Sequence, residues 1–191
     1  MRQDHKNSRT FQFLKRHNWI GDEQKYGHIT IFGIIGLAFR TFFRRILFTF
    51  AYKAYIFEPL YKKHLRPAIW RALGCKVGKN VHIGHAVRLD FGNAEHIIIE
   101  DDVVISNGVT ILCHRRDISN YKKGEKATQQ PFIYSDVVLE RGCQIGINAT
   151  VMPGVRIGEG SIVGSCALVT KSVPAWSIAG GVPAKVIKSL E

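Results

Sequence analysis

The sequence predicts a mainly β chain whose last two-thirds form a parallel β-helix, and three observations carry that expectation. Branched aliphatic residues recur at intervals of six: Leu139, Ile145, Val151, Ile157, Val163 and Val169 run without a break. Two earlier blocks keep the same spacing, Val77, Ile83 and Leu89, then Ile99, Ile105 and Ile111. Four residues after most of these stands a small or branched residue: Val81, Val87, Val103, Val109, Cys143, Ala149, Val155, Ala167 or Val173. Glycine directly follows the aliphatic at Gly78, Gly84, Gly146, Gly158 and Gly164. An amphipathic helix needs apolar spacing near 3.6 and a half-buried strand needs 2. A strict six fits a solenoid in which each short strand buries one aliphatic and then turns a corner. Such coils bury their core only by stacking on one another, which requires several repeats.

The 191 residues suffice for one large domain or a domain with an appendage, and 46% apolar residues exclude a disordered chain. Charge is unevenly distributed. Residues 1–80 carry sixteen Lys/Arg against four Asp/Glu, whereas residues 81–191 carry eleven of each, so the whole formal +12 lies in the first segment. That asymmetry points to a membrane or nucleic-acid partner for one segment only. No nucleic-acid reading motif is present, so nucleic acid is not an expected partner. The four cysteines, at 75, 113, 143 and 166, form no CxxC pair. Cys143 and Cys166 read as small hydrophobes inside the rungs, and the absence of a disulfide framework fits a reducing cytoplasm. The polar start, MRQDHKNSRT, lacks the apolar stretch of a secretory signal.

Two regions follow from this: residues 1–73, a polar N-terminus leading into a basic, aromatic-rich helical segment over 26–73, and the solenoid over 74–191. The segment's longest run without Lys, Arg, Asp or Glu, Tyr26 to Phe39, is fourteen residues. A membrane-spanning helix needs about 20. Aromatic residues mixed with Arg40, Arg44, Arg45 and Lys53 suit a helix lying in a membrane interface instead. The alternative is a segment that packs on the solenoid or on another copy. The closing GGVPAKVIKSLE reads as a turn and a short terminal element.

The chemistry is expected where the rhythm breaks. After Ile111 the period is lost until Leu139, and an inserted loop spans 113–136. It opens with Cys113, His114, Arg115, Arg116 and Asp117 at the end of a buried strand, which places His114 on a rigid support facing outward. Histidine is the side chain suited to general-base work near neutral pH. Neighbouring residues of an extended strand face opposite sides, so Cys113 and His114 do not share a site, which argues against a covalent cysteine route.

The runs ISNGVTILCHRRD, IGINATVMPGVRIGEGSIVGSCALVTKSVP and AGGVPAKVIK resemble those of the hexapeptide-repeat acyltransferases, above all the maltose, galactoside and xenobiotic O-acetyltransferase group. The resemblance covers about residues 75–188. It implies a left-handed parallel β-helix, a homotrimer with sites between adjacent subunits, and acetyl-CoA as donor without a metal. By the same resemblance His114 corresponds to the catalytic base, with Asp117 either orienting the imidazole or forming a surface turn. Ser165, Thr170, Lys171, Lys185 and Lys188 match the donor-binding positions. Asn107 is the candidate on the acceptor side, although Gly108 stands where the group often has Asn. Ile147 replaces a commonly small residue after Gly146. Zinc chemistry of the carbonic-anhydrase type would need a further histidine about five residues from His114, and none follows it.

The expected function is therefore O-acetylation of a sugar hydroxyl, in the assembly of a surface polysaccharide or lipid-linked glycan, at the inner face of the cell membrane. Acetylation of a small soluble acceptor or an amino sugar, and a catalytically silent membrane-associated scaffold, are the alternatives.

Overall fold

The computed structural model describes residues 7–17, 19, 26–53 and 61–191. Helices α1 (Arg9–Arg16) and α2 (Ile31–Lys53) come first, then a π-helical turn (Tyr61–Leu65) running directly into α3 (Arg66–Leu73). Ser8 caps α1, its hydroxyl accepting from Phe11 N at 3.1 Å. Pro67 opens α3, where its missing N–H costs nothing, and Gly74 ends the helix in the left-handed region at φ 114°.

From Lys76 the chain is a solenoid. The first coil contains β1 (Lys76–Val77), β2 (His82–Ile83) and β3 (Arg88–Leu89); the second β4 (Ile97–Ile99), β5 (Val104–Ile105) and β6 (Thr110–Ile111). A hairpin of β7 (His114–Arg116) and β8 (Phe132–Tyr134) projects next. The third coil has β9 (Val137–Leu139), β10 (Gln144–Ile145) and β11 (Thr150–Val151), and the fourth β12 (Arg156–Ile157), β13 (Ile162–Val163) and β14 (Leu168–Val169). A closing pair, β15 (Ser177–Gly181) and β16 (Ala184–Ser189), ends the chain. Equivalent strands pair in parallel to give three faces: β1-β4-β9-β12, β2-β5-β10-β13-β15 and β3-β6-β11-β14. This is the predicted left-handed parallel β-helix preceded by a helical segment.

All the aliphatics of the six-residue register are buried except Val77, which packs half-buried at the first rung. Ile83, Ile111, Leu139, Val151, Ile157 and Val169 have no accessible surface at all. Each fully buried aliphatic contributes about 1.5–3 kcal/mol relative to an exposed one. The glycines after them mark close coil-to-coil contact: a Cβ on Gly146 would lie 2.5 Å from Ser165 N. Cys143 is inside the rung as expected, but Cys166 is not. It stands exposed on a corner with φ 59°, because the corner residue, unlike those on either side of it, points away from the core.

The pairing offset shows where the solenoid is irregular. It is 18 residues between the third and fourth coils, 22 between the first and second, and 40 between the second and third. Both excesses fall on one edge, where the β3-β6-β11-β14 face turns into the β1-β4-β9-β12 face. The smaller insertion, ending in a 3₁₀ turn over Ala94–His96, lies beneath the larger, the β7–β8 hairpin.

The helices close the open end of the first coil. Ile69, Trp70 and Leu73 of α3 join the solenoid core. Arginines tie this cap to backbone carbonyls: Arg66 donates to Ile83 O at 3.1 Å, Arg71 to Val77 O at 2.9 Å, and Arg44 of α2 to Leu73 O. Part of the N-terminal positive charge is therefore structural. One side of α2, with Arg44, Leu47 and Phe48, packs on this region, and Phe48 meets Phe91 edge-on.

Replacing Gly146 by Ala should force the third and fourth coils apart and lower stability by about 1–3 kcal/mol. Gly92→Ala, where an added Cβ meets nothing within 4 Å, should change it by less than about 0.5 kcal/mol. Chemical denaturation of the two variants beside the parent chain measures the difference.

Candidate active site

The doubly inserted edge gathers a cluster of polar and aromatic groups around His114. His114 begins β7 and is about one-third exposed, on the strand residue after fully buried Cys113. The alternation along an extended strand thus places Cys113 in the core and His114 outside it. Burial first, and then nearby Asp90, push the Cys113 thiol up to about 12, so it carries no thiolate at neutral pH.

His114 Nδ1 is held by the carboxylate of Asp90, which comes from the smaller insertion one coil below. Asp90 is 7% exposed and itself fixed on both oxygens. Its Oδ2 also accepts from Cys113 N at 2.9 Å, and its Oδ1 accepts from Asn93 Nδ2 at 2.9 Å. A carboxylate acting only as acceptor places the imidazole proton on Nδ1 and leaves Nε2 with its lone pair. Asn93 Nδ2 also lies 3.0 Å from Nδ1 and donates one of its hydrogens to Asp90. Among the described residues no hydrogen bond is made to Nε2.

The hairpin supplies a wall beside this imidazole. His114 pairs across the strands with Tyr134, and Arg116 with Phe132, so these four share one face. Phe132 meets the His114 ring edge-on at 5.2 Å, and Tyr134 lies 6.2 Å away. Arg116 covers Phe132 at 4.0 Å and donates to Gln130 O and Thr128 O, which locks the loop. The foot of the hairpin is pinned by His96 and Asp136, in contact at 2.6 Å, with His96 stacked on Tyr134.

Asp117 is not the group beside the imidazole. Its carboxylate accepts from the hydroxyl and backbone N–H of Ser119, which hold its pKa below the ordinary carboxylate range, and it forms a turn. Asp90 makes the contact considered for Asp117. The signal that locates Asp90 is the break between Leu89 and Ile99, ten residues where six would continue the register.

The remaining predicted residues fall on separate edges. Thr170 and Lys171 are exposed on the same edge as His114, two coils further on. Asn107 and Ser165 lie on the next edge, across the β3-β6-β11-β14 face, with exposed Ile147 between them. Asn107 Oδ1 accepts from His85 N at 3.0 Å, bridging two coils. Lys185 and Lys188 are exposed on β16. A single chain does not bring these two edges together. Among the described residues no three His, Cys, Asp or Glu converge as metal ligands.

Comparison with known proteins agrees with the fold. Residues 136–171 match the family model described as bacterial transferase hexapeptide (six repeats). "Putative acetyltransferase YvoF" of Bacillus subtilis (strain 168) is 33% identical over 119 residues, 62% of this chain and 63% of that protein. The chain thus spans under two-thirds of that relative's length. Among solved structures, AntD, an N-acyltransferase from Bacillus cereus in complex with dTDP and 3-hydroxybutyryl-CoA, is 27% identical. Its TM-score is 0.52, covering 60% of this chain and 62% of that one. A maltose O-acetyltransferase from Clostridium difficile 630 shares the fold with a TM-score of 0.63 at 22% identity, over 81% of this chain and 88% of that one.

Burial gives a direct check on the cysteines. Cys75 and Cys143, like Cys113, are buried and their thiols are pushed up to about 12, chiefly by burial, while Cys166 is exposed. A thiol reagent at pH 8 should modify one cysteine per native chain and all four after unfolding, and Cys166→Ser should abolish the native reaction.

Proposed function

We propose that this protein, whose residues 136–171 match the bacterial hexapeptide-repeat transferase model, is an acetyl-CoA-dependent O-acetyltransferase acting on a sugar hydroxyl. The proposed acceptor is part of a surface polysaccharide or a lipid-linked glycan. The observation that carries the reading is the Asp90–His114 pair on the solenoid edge, which turns Nε2 away from Asp90, with an aromatic wall beside it.

In this reading Nε2 takes the proton of the acceptor hydroxyl as its oxygen attacks the thioester carbonyl carbon. The carbon–sulfur bond then breaks, and the imidazolium returns the proton to the departing CoA sulfur. Asp90 holds the ring with Nε2 outward and stabilises the imidazolium while it lasts. The pantetheine arm would follow the coils between two subunits of a homotrimer. That arrangement sets the Asn107–Ser165 edge of one copy against the His114–Thr170 edge of the next, and so completes a site that one chain leaves divided. Lys171, Lys185 and Lys188 suit the phosphates of CoA as exposed point charges.

A second reading, N-acylation of an amino sugar, is favoured by the likeness to AntD, whose structure holds dTDP beside an acyl-CoA. The same imidazole serves both, since an amine and a hydroxyl each lose a proton on attack.

His114→Ala should lower acetyl transfer by about 10²–10⁴-fold with CoA affinity nearly unchanged. Asp90→Asn should lower kcat well beyond any change in KM, since it perturbs the tautomer and leaves the binding surfaces in place. Thiol release from acetyl-CoA, across hydroxyl and amino sugars and their nucleotide-linked forms, provides the assay. A loss below about tenfold in His114→Ala overturns the assignment.

The membrane part of the reading rests on the outer side of α2. Phe32, Ile35, Phe39, Phe42, Ile46 and Phe50 follow one another at three- and four-residue steps and are 50–86% exposed. Arg40 and Arg45 flank this stripe on its two sides. Among the described residues no helix is long and apolar enough to cross a membrane, and the stripe with its flanking arginines supports an interfacial position for α2. Phe57, a further aromatic residue of the 26–73 segment, lies outside the described residues. The protein should sediment with vesicles containing anionic lipid, and high salt should release only part of it. The double variant Phe32→Ser, Phe42→Ser should be released almost completely by the same salt.

A further inference from the structure

A groove follows one flank of α2, at the boundary between its exposed aromatic stripe and the side that packs on the solenoid. Two cavities of about 560 Å³ each lie along it, and Arg40 lines both. The first runs between α2 and the end of α3, walled by Phe39, Phe43, Leu47 and Leu73, with Gly74 and Glu95 at its far end. The second runs from Arg40 past Leu37, Gly36 and Gly33 to the 26–29 segment. From Gly33 to Leu47 the helix rises about 21 Å. Ile29 and Leu37 with the helix glycines and Tyr26 and His28 line the second cavity, and Arg40 belongs to both.

Arg40 and Arg44 stand four residues apart and share a side of the helix, about 5–6 Å between Cβ atoms. Arg44 spends one nitrogen on Leu73 O, but its Nε is buried with no acceptor among the described residues. Both guanidinium groups line the first cavity, and two neighbouring positive forks of this kind suit a phosphate. The acidic side chain in the wall, Glu95, is an acceptor for hydroxyl groups. It is two residues from Asn93, which touches His114, a chain span of at most about 7 Å.

The geometry points to a binding site for a phosphate-bearing lipid: a long alkyl or isoprenoid chain along Gly33–Leu37, the phosphate between Arg40 and Arg44, and an attached sugar passing Glu95 toward His114. This rests on the lipid-linked acceptor reading above and adds the place where such an acceptor is held. The groove also opens beside the exposed stripe of α2, so a chain leaving a bilayer would enter it from the side.

The test uses the full-length protein and dodecyl phosphate below its micelle concentration, with affinity read by calorimetry in the absence of any acyl donor. Dodecyl phosphate should bind at least tenfold more tightly than dodecanol, and equal inorganic phosphate should not displace it. A side chain placed in the open space at Gly36, where a Cβ meets nothing within 4 Å, should block the tail. Gly36→Leu should therefore weaken dodecyl phosphate binding at least tenfold while leaving the short butyl phosphate unaffected, and it favours the helix, so loss of folding does not confound the result. Arg40→Gln should erase the preference for phosphate over alcohol. Ala68→Leu, on exposed α3 surface outside the groove, serves as the control. Unchanged binding in Gly36→Leu, or an equal loss in Ala68→Leu, overturns the site; equal affinity for dodecanol overturns the phosphate assignment. His114→Ala should bind the probe like the parent chain, so failure of acetyl transfer and failure of lipid binding are read separately.

Discussion

Everything in this molecule depends on the fixed register between stacked coils. Each backbone N–H on a face finds the carbonyl of the adjacent coil, as Gly146 N does with Val163 O at 2.8 Å. A one-residue slip would bury the corner residues and expose the aliphatics. Because register is rigid, residues far apart in sequence are delivered to neighbouring positions on an edge. Asp90 and His114 meet across 24 residues for this reason alone. Extra residues at the corners leave the register of the faces intact, so insertions can change a site while the scaffold stays as it is.

The arrangement around His114 combines two different kinds of support. Beneath the ring lies a buried carboxylate whose oxygens are engaged by Cys113 N, Asn93 and the imidazole itself. A charge taken out of water is tolerable only when satisfied in this way. Beside the ring lies the hairpin, held at its foot by His96 and Asp136 and along its length by Arg116. The first fixes which nitrogen is available; the second shapes what can approach it.

The solenoid was legible because its signal is repeated: one aliphatic per rung, a small residue two positions before the next, glycine at the tight corners. His114 was legible because it follows the last buried residue before the rhythm fails. Asp90 was not, since it is a single polar residue in a short interruption, and its role appears only once a 22-residue first coil places it under Cys113. Cys166 was misplaced because a corner residue and a core residue can both be small, and only the backbone direction separates them. The N-terminal basic residues illustrate the same limit. Composition sees their charge, but Arg44, Arg66 and Arg71 spend it on carbonyl groups that only the fold puts in reach.

The two ends of the solenoid are closed in different ways. A stack of coils ends in unpaired strand edges, which can recruit further chains. Here α3 covers the first coil, whereas β16 turns back antiparallel along β15 and reverses the polarity of that face's last edge. A strand of another molecule arriving in the parallel sense finds no continuation there. The short tail thus ends this face in a strand of opposite sense, which denies it the parallel edge that another coil would need.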